Sequence, residues 1–233
     1  TLEKQAGVQN VIVTHNFPEN TTSGKRKEYI VPDLDIQPFY GDLFNYILRA
    51  RKAGKELRRI ISEERPDVIH IHNMQNPFVV AEAIKNAPTV RSIHDPRLYC
   101  FNNWRILSKT GEICPYPMGY KCVSEGCLWP DLLKFTINGR TAISRYILYL
   151  LHRKVDKLII ESEAMRACVL QNSYRENQLA YLPNFTKTYD FDEVMRRNKE
   201  FDRLDENSIL FVGRASFEKG IDYLLDAVAL LKI

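Results

Sequence analysis

Pro66-Asp67-Val68-Ile69-His70-Ile71-His72-Asn73, and then Thr89-Val90-Arg91-Ser92-Ile93-His94-Asp95, frame the stretch that decides the fold. Each is a short apolar run that stops on a histidine beside a small polar side chain, as a strand buried in a parallel sheet does. Between them, Asn76-Pro77 offers a capping side chain and a proline at the first helical position, which predicts a helix to about Ala87. Strand, helix and strand over 67–94 fit the ~30 residues of a right-handed crossover between parallel strands.

The same alternation continues outward. Upstream, Val8 to His15 and Glu28 to Val31 are predicted strands, with loop chemistry at Asn20-Thr21-Thr22-Ser23-Gly24. From Asp42 to Glu64 an apolar stripe (Leu43, Tyr46, Ile47, Ala50, Leu57, Ile60, Ile61) predicts a helix, and Pro66 stops it. Downstream, a polar loop rich in Cys, Pro and Gly covers 96–130. A helix is predicted at Leu132 to His152, a strand at Lys157 to Glu161, a Ser162-capped helix to about Gln171, and a strand at Leu179 to Leu182. Residues 185–207 have the composition of a linker, with one helix in Asp192 to Phe201. A strand at Ile209 to Val212, then Gly213 and a helix from about Phe217, begin something new. The prediction is an α/β, doubly wound parallel sheet, Rossmann-like, over 1–184, with the start of a second domain at 208–233.

Composition narrows the function. The 233 residues are 45% hydrophobic and 27% charged, with Gly and Pro near background, which excludes collagen-like, low-complexity and disordered classes. A net charge of +4 does not call for nucleic acid and suits phosphorylated ligands or an anionic surface. The longest apolar runs, such as Ile147 to Leu151, fall far short of the ~20 residues of a spanning helix. The expected setting is cytoplasmic. Arg49, Arg51, Lys52, Lys55, Arg58 and Arg59 make one face of the long helix basic, a face for peripheral contact with lipid headgroups or simply for water.

Candidate site residues gather where strands end. His72-Asn73 and His94-Asp95 stop adjacent predicted strands, and ligands of open α/β sheets bind beyond the carboxyl ends. Imidazole, amide and carboxylate suit a polyhydroxylated ligand, with histidine available for proton chemistry. His70 shares the strand face of His72 and reads equally as a satisfied group inside the sheet. In Gly213-Arg214-Ala215-Ser216-Phe217-Glu218-Lys219-Gly220 a strand runs through Gly into a helix start with two cations, a match to a diphosphate. Cys100, Cys114, Cys122 and Cys127 are separated by 13, 7 and 4 residues. That spacing is not a zinc ribbon and leaves a structural zinc, disulfides or free thiols open.

Taken in order, Pro66 to Asn73, Arg91-Ser92-Ile93-His94-Asp95, Tyr181-Leu182-Pro183-Asn184, and Phe211-Val212-Gly213-Arg214 with Glu218-Lys219-Gly220 resemble glycosyltransferase family 4. The Cys-bearing loop is similar to that of a subset of the family. The resemblance implies a retaining enzyme with two Rossmann-like domains facing across a cleft. Its donor is a nucleotide-diphosphate sugar and its acceptor a saccharide or lipid-linked hydroxyl. It implies that His94, with Asp95, lies against the transferred sugar, that His72 and Asn73 line the cleft, and that Gly213, Arg214 and Lys219 hold the donor diphosphate with no metal required. The family's opening strand and its Glu-x7-Glu motif are expected before Thr1 and after Ile233, and the chain alone is expected to have little activity. A competing expectation is a metal- or thiol-dependent binding module built on the Cys loop.

Overall fold

A computed structural model describes residues 7–16, 27–36, 43–128, 137–184, 196, 208–216 and 219–231. The chain divides into two compact units, Thr1–Pro183 and Asn184–Ile233. In the first, β1 (Val11–Thr14) pairs in parallel with β2 (Lys27–Ile30). A second sheet contains β3 (Ile69–Ile71), β4 (Thr89–Ser92), β5 (Lys157–Ile160) and β6 (Leu179–Tyr181), all parallel and adjacent in chain order. The linking helices are α1 (Leu43–Glu64), α2 (Pro77–Asn86), α4 (Ile137–His152) and α5 (Glu163–Gln171), with a short α3 (Tyr120–Ser124) in the loop after β4. Parallel neighbours require such crossovers, and the α/β architecture expected from the alternation is the one observed.

Register explains which residues are buried. Ile71, Arg91, Leu158 and Leu179 stand in one row across the four strands, and His70, Val90 and Lys157 in another on the opposite face. The first row is covered. Ala53, Leu57, Ile60 and Ile61 of α1 and Val79, Val80 and Ala83 of α2 form one core with Ile71, joined by Val13 and Tyr29 of the smaller sheet. Leu158 and Ile160 meet Tyr149, Val155, Val169 and Tyr174 in a second core. On the other face His70 is exposed.

Local chemistry sets the helix ends. Asn76 accepts hydrogen bonds from the backbone N–H of Phe78 (3.0 Å) and Val79 (3.5 Å), as its N-cap position demands. Its amide also donates to the carbonyl of Ala50 in α1 at 3.2 Å, so one buried side chain starts α2 and ties it to α1. Gly54 faces α2, where a Cβ would lie 3.2 Å from the Phe78 carbonyl oxygen. Ser162 caps α5 through Met165 N–H at 3.1 Å.

The structure departs from expectation in several places. The loop after β4 is folded rather than irregular. Asp95 caps a 3-10 turn at Pro96–Leu98, Ile106 and Ile113 form an antiparallel bridge, and Asn172 accepts from Met118 N–H at 2.7 Å. Side chain to backbone bonds from outside the loop supply the order that hydrophobic periodicity does not encode. Half of the basic face of α1 is ion-paired: Arg49 with Asp33, Arg58 with Glu82, and Arg59 with Glu56 and Glu63. Asp33 and Glu82 sit on a turn and a helix that the sequence does not place beside α1. The helix predicted from Leu132 is described from Ile137 onward, as α4, and its first residues, Leu132 to Thr136, lie outside the described residues.

In the second unit the strand expected at Ile209 to Val212 is not formed. Leu210 and Val212 are 81% and 85% exposed, and no described strand in that unit offers the ladder bonds a parallel strand needs. α6 (Ile221–Leu230) starts later than expected, because Gly220 takes a left-handed φ of 71° as its cap. The helix expected in Asp192 to Phe201 lies outside the described residues except for Arg196, which is helical. Among the described residues no helix is long and apolar enough to cross a membrane.

Candidate active site at the carboxyl ends of the strands

The parallel register carries three titratable side chains to one end of the larger sheet. His72 follows β3, His94 lies beyond β4 and Glu161 follows β5. Because Ser92 pairs with Ile159 and the ladder continues with Ile93 N–H on the Ile159 carbonyl, His94 comes level with Glu161. His94 Nδ1 is 2.5 Å from Glu161 Oε1. His72 Nδ1 lies 3.3 Å from His94 Nε2, and the two rings meet edge to edge with centroids 5.6 Å apart and planes 13° from parallel. His70 stands behind His72, ring centroids 4.0 Å apart, with its Nε2 2.8 Å from Ser92 Oγ.

His72 and His70 are crowded by neighbouring imidazoles and resist added protons. Partial burial, then His70, His94 and Arg91, push His72 down to about 4, and burial followed by His94 lowers His70. His72 and His70 are therefore neutral near pH 7 and available as hydrogen-bond donors and acceptors. Neutral imidazoles suit the hydroxyls of a sugar better than a charged cluster would.

Beneath this row lies Arg91, 3% exposed. Its Nη1 donates to the Met74 carbonyl at 3.1 Å, its Nε has no partner, and no described carboxylate is within ion-pair distance. Burial lowers it to about 10, against the pull of Tyr174, Asp95 and Asp35. Arg91 thus holds the turn after His72 from below, while Asp35 accepts from Gln75 N–H at 2.5 Å. Asn73 sits on that turn with a left-handed φ of 44°, a conformation that asparagine tolerates better than most residues.

Of the residues singled out in the sequence, His72 and His94 are brought together and Asn73 adjoins them. Asp95 is engaged elsewhere: its carboxylate accepts from Arg97 N–H at 3.0 Å and forms an ion pair with the Arg97 guanidinium at 2.7 Å. It organises the loop start. Gly213, Arg214 and Lys219 belong to the second unit, where the Arg214 carbonyl accepts from Ser216 N–H and the Ser216 carbonyl from Lys219 N–H, both at 2.9 Å. Arg214 and Lys219 are exposed there.

Cys100, Cys114, Cys122 and Cys127 line one small pocket with Tyr99, Arg105 and Met118. All are free thiols, so none of the candidate disulfides is formed. All four sulfurs have polar neighbours instead: Cys100 Sγ donates to Asn102 Oδ1 at 2.9 Å and Cys114 Sγ to the Tyr116 carbonyl at 3.8 Å, while Cys122 Sγ accepts from Gly119 N–H at 3.5 Å and Cys127 Sγ from the Asn102 amide at 3.7 Å. Burial pushes the Cys100 and Cys122 thiols up. Among the described residues no group of three or more His, Cys, Asp or Glu is placed to hold a metal ion. The four thiols thus share a pocket but, among the described residues, do not form a group placed to hold a metal ion.

Glu161, Ser92 and Arg91 were not singled out in the sequence. Glu161 had a usable signal: it ends a predicted strand at the depth where the neighbouring strand ends in His94. Arg91 had none, because a charged residue inside an apolar run does not announce which face it takes.

A search of curated proteins returned no match. The sequence profile of Glycosyltransferase Family 4 matches residues 2–188, a span that takes in all six described strands and the whole of the His72, His94 and Glu161 cluster. Arg214 and Lys219 lie outside it. With a match over most of its length, and with its polar side chains gathered at the carboxyl ends of a parallel sheet, the chain belongs to glycosyltransferase family 4.

Proposed function

We propose that the chain serves a retaining transfer of a hexosyl-type unit from a nucleotide-diphosphate sugar to a hydroxyl of a saccharide or lipid-linked acceptor. The observation that carries this is the His72–His94 pair, backed by Glu161, at the strand ends of a family 4 chain. In this role the two imidazoles bond to sugar hydroxyls. Arg214 and Lys219, on the second unit, meet the charge that grows on the departing diphosphate. Fixed cations of this kind stabilise the transition state more than the ground state, so the reading requires no metal at that position.

The test is saturation-transfer NMR on the 233-residue chain with UDP-, GDP- and ADP-linked hexoses. One donor is expected to show transfer to its sugar protons. His94→Ala is expected to weaken that binding about tenfold, the effect of roughly 1.4 kcal/mol in lost hydrogen bonding. Arg214→Ala should weaken the nucleoside diphosphate more than the monophosphate. If no donor binds better than its free monosaccharide, the proposal fails.

A further inference from the structure

Glu161 has no assigned task, and its surroundings define one, given the sugar-site reading of this crevice. The carboxylate is more buried than the ring it touches, with side-chain exposures of 16% for Glu161 and 37% for His94. A carboxylate only accepts hydrogen bonds, so at 2.5 Å from Glu161 Oε1 the proton of a neutral His94 sits on Nδ1. That leaves a lone pair on His94 Nε2. The atom facing it at 3.3 Å is His72 Nδ1, which must then be the donor. His72 in turn is left with its own lone pair on Nε2. The two ring planes lie 13° from parallel with centroids 5.6 Å apart, the edge-to-edge arrangement that an in-plane N–H···N bond requires, and His70 is occupied separately by Ser92.

We propose that Glu161 is a positioning residue: through His94 it fixes both imidazoles as Nδ1–H tautomers, so that His72 presents Nε2 as the acceptor for a hydroxyl of the bound sugar or acceptor. The tautomer of a histidine is set by the bond its other nitrogen makes. Here one carboxylate sets two in series. The second link is long for a hydrogen bond, so control is stronger at His94 than at His72.

Two-bond 15N–1H correlation spectra of the labelled 233-residue chain at neutral pH read the tautomers directly, with no nucleotide sugar present. Peaks are assigned by loss in His72→Asn and His94→Ala. In the parent chain both rings are expected as Nδ1–H. Glu161→Gln keeps the shape but supplies an amide that can donate to His94 Nδ1. His94 is then expected to exchange its high- and low-frequency 15N positions, wholly or as a mixture, and His72 to follow to a smaller extent. In His94→Ala, His72 loses its acceptor and should return to the Nε2–H form usual for free imidazole. A parent chain with either ring as Nε2–H overturns the proposal, as does a folded Glu161→Gln with both rings unchanged. If Glu161→Gln does not fold, the parent spectrum and His94→Ala decide alone. Because donor binding is measured separately, loss of the sugar reading and loss of the tautomer relay are distinct outcomes.

Discussion

Asn76 shows how much one side chain decides. Its Oδ1 caps α2 while its amide donates to Ala50 and, at 3.4 Å, to the Asp33 carbonyl. Asn76→Ala removes both functions. Asn76→Asp keeps the cap acceptor but turns an oxygen toward two carbonyls in a fully buried place. Both substitutions are expected to cost about 2–4 kcal/mol, from a lost cap plus unsatisfied buried groups in one case and buried repulsion in the other. Urea unfolding checks this. An Asn76→Asp protein as stable as the parent would show that capping alone matters. Asn76-Pro77 was legible as a cap from sequence, since that function is local. Its bond to Ala50 was not, because the partner is on another helix.

At the scale of elements, the meeting of α1 and α2 depends on Gly54. Its added Cβ would press on the Phe78 backbone, which cannot rotate away as a side chain can. Gly54→Ala mixes this crowding with a gain in helix propensity of about 1 kcal/mol. Gly54→Val adds more bulk with a smaller gain, and is expected to destabilise by about 1–3 kcal/mol through overpacking. Thermal unfolding should show a lower midpoint. An unchanged one would mean the two helices separate freely at this point. The apolar stripe that packs α1 was readable from its period, with Ala50, Leu57, Ile60 and Ile61 all buried. The exposed apolar run Ile209 to Val212 shows the limit of that signal: such a run supplies the propensity, but a parallel strand exists only beside another.

For the whole molecule, stability and the state of the crevice are linked through pH. His72 titrates near 4 when folded and near its ordinary 6.5 when unfolded. The unfolded chain therefore binds the proton first, and stability is complete above about pH 6.5 and falls as pH drops toward 4. His152 and His70 shift in the same direction, both chiefly through burial. Partly buried Asp35 is raised, chiefly by desolvation, and opposes them at the acid end. Urea midpoints are expected to fall from about pH 7 to about pH 5, with a shallower fall in His72→Asn. Equal slopes in the two proteins would show that His72 is not depressed.

The order of residues along the chain was enough to set the alternation of strands and helices, the caps of α2 and α5, and the placing of His72 and His94 at strand ends. These follow from residue periodicity and from side chains that act on their own backbone. Packing in three dimensions was needed to stand Glu161 behind His94, to bury Arg91 beneath the turn without a described carboxylate in ion-pair reach, to pair three of the α1 arginines and to bring the four thiols into one pocket. Most of these relations join residues on different elements. They are fixed by register and packing, which no local stretch of sequence encodes.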